Sequence, residues 1–342
     1  MAILALPSAV LAEGHEGMAW IPGGTYQRGN DKKADNGHFY REEAPMHPVT
    51  VKGFWMDETE VTNREFAKFV EETGYKTFAE VGPDPADFPK APKEALKAGS
   101  TVFTPPPNDL DPWKSDRWSW WTFTPGADWR HPEGPDSSIK DRMDHPVVCV
   151  NYDDAMAYAK WAGKRLPTEA EWERAARGGM EKKMYVWGDK RQPTGKWLAN
   201  CFQGTFPKTN TAEDGFASTA PVKSFPANAY GLYDMAGNVW EICSDYFSPD
   251  AYRNFVKAPT ANPQGPKKPI TDIEMQKWNR DQLPIPEVKD AHRITHLRSA
   301  RGGSFLCHVS YCLRYRPAAR HYHEPLTPSC HMGFRCVKDA EK

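Results

Sequence analysis

The chain has 342 residues, with 44 basic and 45 acidic side chains and a net charge of −1. That balance gives no general attraction to nucleic acid or to an anionic membrane, and no run of about 18 apolar residues is present to insert stably as a transmembrane helix. Thirteen Trp beside 31 Pro and 25 Gly predict much irregular chain held together by large apolar rings.

The chain opens on Met1-Ala-Ile-Leu-Ala-Leu-Pro-Ser-Ala-Val-Leu-Ala12, apolar and ending in small residues. Residues 1–17 read as the remnant of a secretory signal, cleavable after Ala12, or as a disordered lead, since the basic start of such a signal is missing. The first reading expects a periplasmic or secreted protein, the second a cytoplasmic one. Met18 to Gly29 predicts strand, turn, strand, and Pro48 to Met56 a further strand pair. Thr62-Asn-Arg-Glu65 is a capping box. It opens a helix with the stripe Phe66, Phe69 and Val70, which Gly74 closes.

Residues 80–125 predict a long irregular segment packed by its own rings. Gly126 to Pro135, carrying Asp128, Trp129 and Arg130, reads as a loop. Pro146-Val-Val-Cys-Val150 reads as a buried strand with Cys149 as a core thiol. One helix is predicted over Tyr152 to Ala162. Another runs from Thr168, capped through Glu171, to Gly178. The Lys164 to Trp172 run between them reads as a tight helix–helix turn anchored by Trp172. Residues 248–300 read as a polar insertion. With no internal repeat, heptad run or linker, residues 18–340 form one domain.

Two Gly-containing loops are candidate Ca²⁺ sites. One runs from Asn200 to Phe216 with Asp214 near its end. The other is Asp234-Met-Ala-Gly-Asn-Val-Trp-Glu241. Ca²⁺ takes six to eight hard oxygens, and such loops can aim carbonyls inward. Neither is an EF-hand, and turns capped by their own Asn or Asp side chains explain the composition equally.

Seven cysteines are present, an odd number. Cys307 and Cys312 stand out in Arg301-Gly-Gly-Ser-Phe-Leu-Cys-His-Val-Ser-Tyr-Cys-Leu-Arg-Tyr-Arg316. An extended run between them would span roughly 17 Å, and on a helix they would lie about 140° apart. Their sulfurs meet only if the backbone bends sharply. Sulfurs that meet can form a disulfide, act as a redox pair, or bind a soft metal, of which Cu(I) suits two thiolates best.

That stretch, with Ala318-Ala319-Arg320, Gly333-Phe334-Arg335-Cys336 and Lys164-Arg-Leu-Pro-Thr-Glu-Ala-Glu-Trp172, closely resembles the formylglycine-generating enzymes, the sulfatase-modifying oxidases. The resemblance runs from Met18 to Lys338. It implies a single α+β domain, low in regular secondary structure and similar to C-type lectin domains. It also implies an activity: oxidation by O₂ of the cysteine in a Cys-x-Pro-x-Arg motif of an unfolded sulfatase polypeptide to Cα-formylglycine. Cu(I) on Cys307 and Cys312 and a thiol reductant would serve that reaction. Ser304 and Trp240 match residues lining the family's oxygen pocket. Tyr311 and His308 flank the cysteines, with His308 read as a satisfied loop histidine. Asp128, Trp129, Arg130 and Tyr311 fall on the substrate side.

The resemblance maps a first structural Ca²⁺ to Asn200, Cys201, Asp214 and Phe216, and a second to Asp234, Gly237, Val239 and Glu241. A monomer is expected. The chain departs from the family in three ways. Ala159 stands opposite Cys336 and Ala176 opposite Pro317, where vertebrate members have disulfides. The insertion at 248–300 is long. The run His321-Tyr-His323-Glu324, with Cys330-His331, offers either a solvated loop or an additional metal site. Rival readings are an oxidase acting on another cysteine target, a non-catalytic binding module of the same fold, and an iron-dependent sulfoxide synthase, which lacks its N-terminal helical domain here.

Overall fold

The computed structural model describes residues 15–86, 89, 96–107, 120–254, 260–271 and 294–341. The lead at 1–14 and the intervening parts of 80–125 and 248–300 lie outside the described residues. The helices are α1 (Asn63–Thr73), α2 (Phe78–Val81), α3 (Tyr152–Trp161) and α4 (Glu169–Arg177). Each of the three longer ones starts on a complete capping box, led by Thr62, Asn151 and Thr168. Left-handed Gly74 and Gly178 stop α1 and α4. The predicted helices therefore form where local chemistry places them.

The strands are short: β1 (Met18–Ile21), β2 (Gly24–Arg28), β3 (His47–Val51), β4 (Phe54–Asp57), β5 (Gly99–Phe103), β6 (Trp121–Pro125), β7 (Gly204–Thr205), β8 (Thr209–Asn210), β9 (Trp240–Tyr246), β10 (Thr260–Ala261), β11 (Ile270–Thr271), β12 (Ile294–Thr295), β13 (Arg298–Arg301), β14 (His321–His323), β15 (Met332–Gly333) and β16 (Val337–Asp339). The largest sheet has the order β14–β13–β9–β15, and two three-stranded sheets have the orders β1–β4–β16 and β10–β3–β2.

The two predicted strand pairs are real as strands but not as hairpins. β1 joins β4, and β2 joins β3. Each pair crosses between sheets at a glycine, and the two crossings touch: a Cβ on Gly23 would lie 2.7 Å from Gly53 N. The 146–150 stretch is buried, as is Cys149, but it is not a strand. Pro146 makes an isolated bridge to Thr62, and Cys149 turns the chain with φ at +59°. The supposedly irregular 80–125 segment begins on the last two residues of α2 and contains the antiparallel pair β5–β6.

One aromatic core gathers Phe66 and Phe69 of α1, Tyr158 of α3, Trp129 and Phe334. Below it α4 turns Glu169 and Glu173 into a fully buried cluster of guanidiniums. Arg301 donates to Glu169 at 2.9 Å and to Glu173 at 2.6 Å. Arg320 holds Glu169 at 2.5 Å, and Arg177 holds Glu173 at 2.6 Å. Burial alone would raise these carboxyl pKa values. The surrounding guanidiniums override it, pulling Glu173 down to about 2 and Glu169 well below the carboxylate range. The Lys164 to Trp172 run is thus more than a turn, because it anchors Arg301 and with it the start of the cysteine loop.

Candidate active site around Cys307 and Cys312

β13 delivers the chain to Gly302 and Gly303, both at positive φ. A Cβ on Gly303 would lie 2.8 Å from the Tyr315 backbone N, so only glycine lets the outgoing and returning strands of the loop approach this closely. The predicted sharp bend follows. The N–H groups of Tyr311, Cys312 and Leu313 all point at the His308 carbonyl, at 3.0, 3.0 and 3.1 Å. That turn leaves the Cα atoms of Cys307 and Cys312 5.5 Å apart, and the pair is disulfide-bonded. Cys307 is buried and Cys312 half-buried. His308 is a satisfied loop residue, with Nδ1 2.8 Å from Ser310 Oγ.

Ser304 and Trp240 are both buried beside this turn. Ser304 Oγ accepts from Leu306 N–H at 3.3 Å, which leaves its own proton free to donate. Trp240 shares the core cluster of Cys307. Tyr311 stacks on Phe206 at 4.3 Å and meets Trp120 edge-on at 5.8 Å, an aromatic wall whose Phe206 and Trp120 the sequence did not single out. Asp128, Trp129 and Arg130 are engaged locally. The Asp128 carboxylate accepts from the N–H groups of Arg130 and His131, Trp129 is packed on Phe66, and Arg130 pairs with Glu80 at 2.8 Å.

In the first candidate calcium loop Asp214 and Cys201 lie together. Asp214 accepts from Cys201 N–H and Phe216 N–H, each at 2.9 Å. Gln203, missed in the sequence, donates to Asp214 at 2.6 Å and abuts the Cys201 carbonyl. Asn200 spends its amide N–H groups on Ser218 O and Asn238 Oδ1, and its buried Oδ1 has no partner. That orphaned amide oxygen, with the Asp214 carboxylate in the same loop, supplies hard oxygen donors of the kind a hard cation takes.

In the second loop Asp234 sits at φ +54° and accepts from Lys223 N–H at 2.9 Å. Glu241 accepts from Trp172 Nε1 and from Arg335. A further acid also belongs here. Glu60 is fully buried, and neither of its oxygens has a hydrogen-bond partner. Burial, then the neighbouring Asp234, pushes its pKa well above the carboxylate range, and burial lifts Asp234 to about 6. Three buried acids facing one guanidinium are short of positive charge, which a divalent cation would supply. Among the described residues, no three or more His, Cys, Asp or Glu side chains converge to hold a metal unaided. Each cation would therefore rely on carbonyl and amide oxygens as well.

The side chains of His321, His323, Cys330 and His331 are packing groups. His321 lies 5.1 Å from the Trp240 ring and His331 4.7 Å from that of Trp121. Burial drives the pKa of His323 and His331 down to about 3.

The profile of the sulfatase-modifying factor enzyme 1-like domain matches residues 5–340. The formylglycine-generating enzyme of Streptomyces coelicolor is 44% identical over 95% of this chain and 90% of that protein. The Bos taurus protein named inactive C-alpha-formylglycine-generating enzyme 2 is 43% identical over 66% of this chain and 69% of its own. The solved structure of PvdO from Pseudomonas aeruginosa shares the fold, with a TM-score of 0.56 and 22% identity over 94% of each chain. The chain belongs to the family of sulfatase-modifying factor enzyme 1-like domains, a single α+β domain of C-type-lectin-like fold.

Proposed function

We propose that the protein is a formylglycine-generating oxidase, converting the cysteine of a sulfatase Cys-x-Pro-x-Arg segment to Cα-formylglycine. The observation that carries this reading is the turn that sets half-buried Cys312 beside buried Cys307, with Cα atoms 5.5 Å apart, in a chain 44% identical to a formylglycine-generating enzyme. The reaction consumes one O₂. It takes two electrons and two protons from a thiol reductant, and releases sulfide and water as the thiol carbon becomes an aldehyde.

The reduced pair offers two sulfurs with no carboxylate in the same turn, a soft donor set that fits Cu(I). Cu(I) held there supplies the one-electron chemistry that lets O₂ react with a thiol. The protein's own residues do the rest. Half-buried Cys312 leaves the pair open to an incoming substrate thiol. Ser304 aims a hydroxyl proton into the buried side, and Trp240 keeps that side dry. Half-buried Tyr311, backed by the buried rings of Phe206 and Trp120, offers a ring face against which an extended peptide carrying proline can lie. Two Ca²⁺ ions, one in the Asn200–Phe216 loop and one in the Asp234–Glu241 loop beside Glu60, staple chain that regular structure does not hold.

Likeness to an inactive relative makes a non-catalytic module the reading to eliminate. The test is mass spectrometry of a Cys-x-Pro-x-Arg peptide incubated with Cu(I)-loaded protein, O₂ and a thiol, beside Cys312→Ala. Conversion of thiol to aldehyde in the wild type alone supports the oxidase. Tight Cu(I) binding without conversion points to another cysteine target, and neither result leaves the non-catalytic module.

A further inference from the structure

The turn between the two cysteines is held from within by the His308 carbonyl and from outside by a segment far upstream. The His308 carbonyl takes three N–H groups, while the carbonyls of Val309 and Cys312 point away from the turn. Both find partners in a segment far upstream. Tyr40 Oη donates to Cys312 O at 2.9 Å. Asn36 Nδ2 donates to Tyr40 Oη at 3.1 Å and to Val309 O at 3.3 Å. One side-chain pair thus grips the turn near both of its ends.

The grip is itself anchored. Tyr40 is only 7% exposed, and its ring lies 4.7 Å from the Arg316 guanidinium and 5.3 Å from that of Arg314. Those arginines, just beyond the turn, are tied back to the same upstream segment. Arg314 pairs with Glu42 at 2.7 Å, and Arg316 donates to both oxygens of Glu43. The 36–43 segment and the 307–316 loop are therefore tied together through Asn36, Tyr40, Glu42 and Glu43 and their partners in the loop.

We infer that Asn36 and Tyr40 are positioning residues for the cysteine pair: together they hold the backbone of Cys312 so that its sulfur stays opposed to that of Cys307. The brace touches neither sulfur, so its effect falls on how readily the pair closes. Opening the disulfide with glutathione consumes two thiols and yields two cysteine thiols and one glutathione disulfide. Its equilibrium constant measures the effective concentration of one sulfur at the other. The extension to Cu(I), which needs the same two sulfurs, rests on the function proposed above, whereas the disulfide equilibrium does not.

The experiment equilibrates full-length wild type, Tyr40→Phe and Asn36→Ala in glutathione redox buffers, traps thiols by alkylation, and weighs the peptide containing Cys307 and Cys312. Tyr75→Phe serves as control, since it removes a hydroxyl that donates to Asp154 at 3.0 Å, away from this turn. Loss of one ordinary hydrogen bond corresponds to roughly a two- to twelve-fold change in an equilibrium constant. The expected result is a fall of that size in disulfide stability for Tyr40→Phe and Asn36→Ala, with no change for Tyr75→Phe whatever its melting temperature. Cu(I) affinity, read by competition with a chromophoric chelator, falls in parallel. Disulfide equilibria of both variants matching wild type would overturn the inference. A shifted equilibrium in a protein that binds no Cu(I) upholds the brace and removes the copper reading. If Tyr40→Phe does not fold, exposed Asn36 decides the matter alone.

Discussion

Arg335 grips Glu241 through two parallel hydrogen bonds, Nε to Oε2 at 2.6 Å and the NH2 nitrogen to Oε1 at 2.9 Å, with both side chains fully buried. The same guanidinium also donates to the carbonyls of Asp57, Glu58 and Tyr233. Lysine cannot reproduce that fork. Arg335→Met, which leaves the Glu241 carboxylate buried without its partner, is expected to cost about 3–5 kcal/mol, the range for removing one member of a buried pair. Urea unfolding followed by fluorescence checks this, and a loss below about 1 kcal/mol would show that the pair is not structural.

Calcium removal gives a second prediction, with Glu60 as its reporter. Chelation by EGTA is expected to lower the melting temperature of the wild type. A cation at about 100 times its dissociation constant contributes roughly 2.7 kcal/mol. Glu60→Gln removes a buried, unpartnered acid. In chelator it should equal or exceed the wild type in stability, and in millimolar-range Ca²⁺ it should fall below. Parallel melting curves under both conditions would place Glu60 outside any cation site.

Asp245 provides a pH test. Burial, reinforced by the Glu169 charge, raises its pKa from 3.8 to about 7. The folded state then keeps a proton that the unfolded chain releases above about pH 4. This group's contribution to stability is therefore complete below pH 4 and erodes as pH climbs toward 7. Asp245→Asn retains an acceptor for the Glu169 N–H, which now lies 2.9 Å from Oδ2. The variant should match wild type near pH 4 and exceed it at pH 7 by an amount on the order of 4 kcal/mol. Denaturant midpoints across that range decide it: a difference that does not grow with pH sinks the assignment.

Ser304→Ala addresses the chemistry itself. Ser304 Oγ accepts from Leu306 N–H, so its proton remains free to donate. Removing one such preorganised donor typically costs about 100-fold or more in turnover. The variant should oxidise the sulfatase peptide roughly 100-fold more slowly with Cu(I) affinity unchanged. Wild-type turnover would assign Ser304 to packing.

Local signals were legible wherever the physics is local. Thr62 with Glu65 and Thr168 with Glu171 specify helix starts within four residues. The Cys307–Cys312 spacing made a sharp bend the condition for the sulfurs to meet, and the structure contains that bend. Strand pairing was not legible, because β1 and β2 are adjacent in sequence yet cross between sheets at the touching Gly23 and Gly53. Cys149 read as a strand residue from its apolar neighbours, and only its left-handed backbone shows otherwise.

Taken alone, the order of residues determined the family, the three capped helices, the cysteine turn and both candidate calcium loops, since each is a pattern written within a few tens of residues. The tertiary structure decided what those patterns touch. Glu60 becomes a candidate ligand because folding strips it of water and of every hydrogen-bond partner. Tyr40 becomes a brace because folding brings it to Cys312 across 272 positions of sequence. Burial and long-range contact set the free energy of a charge or a hydrogen bond, and neither is a property of any short stretch of chain.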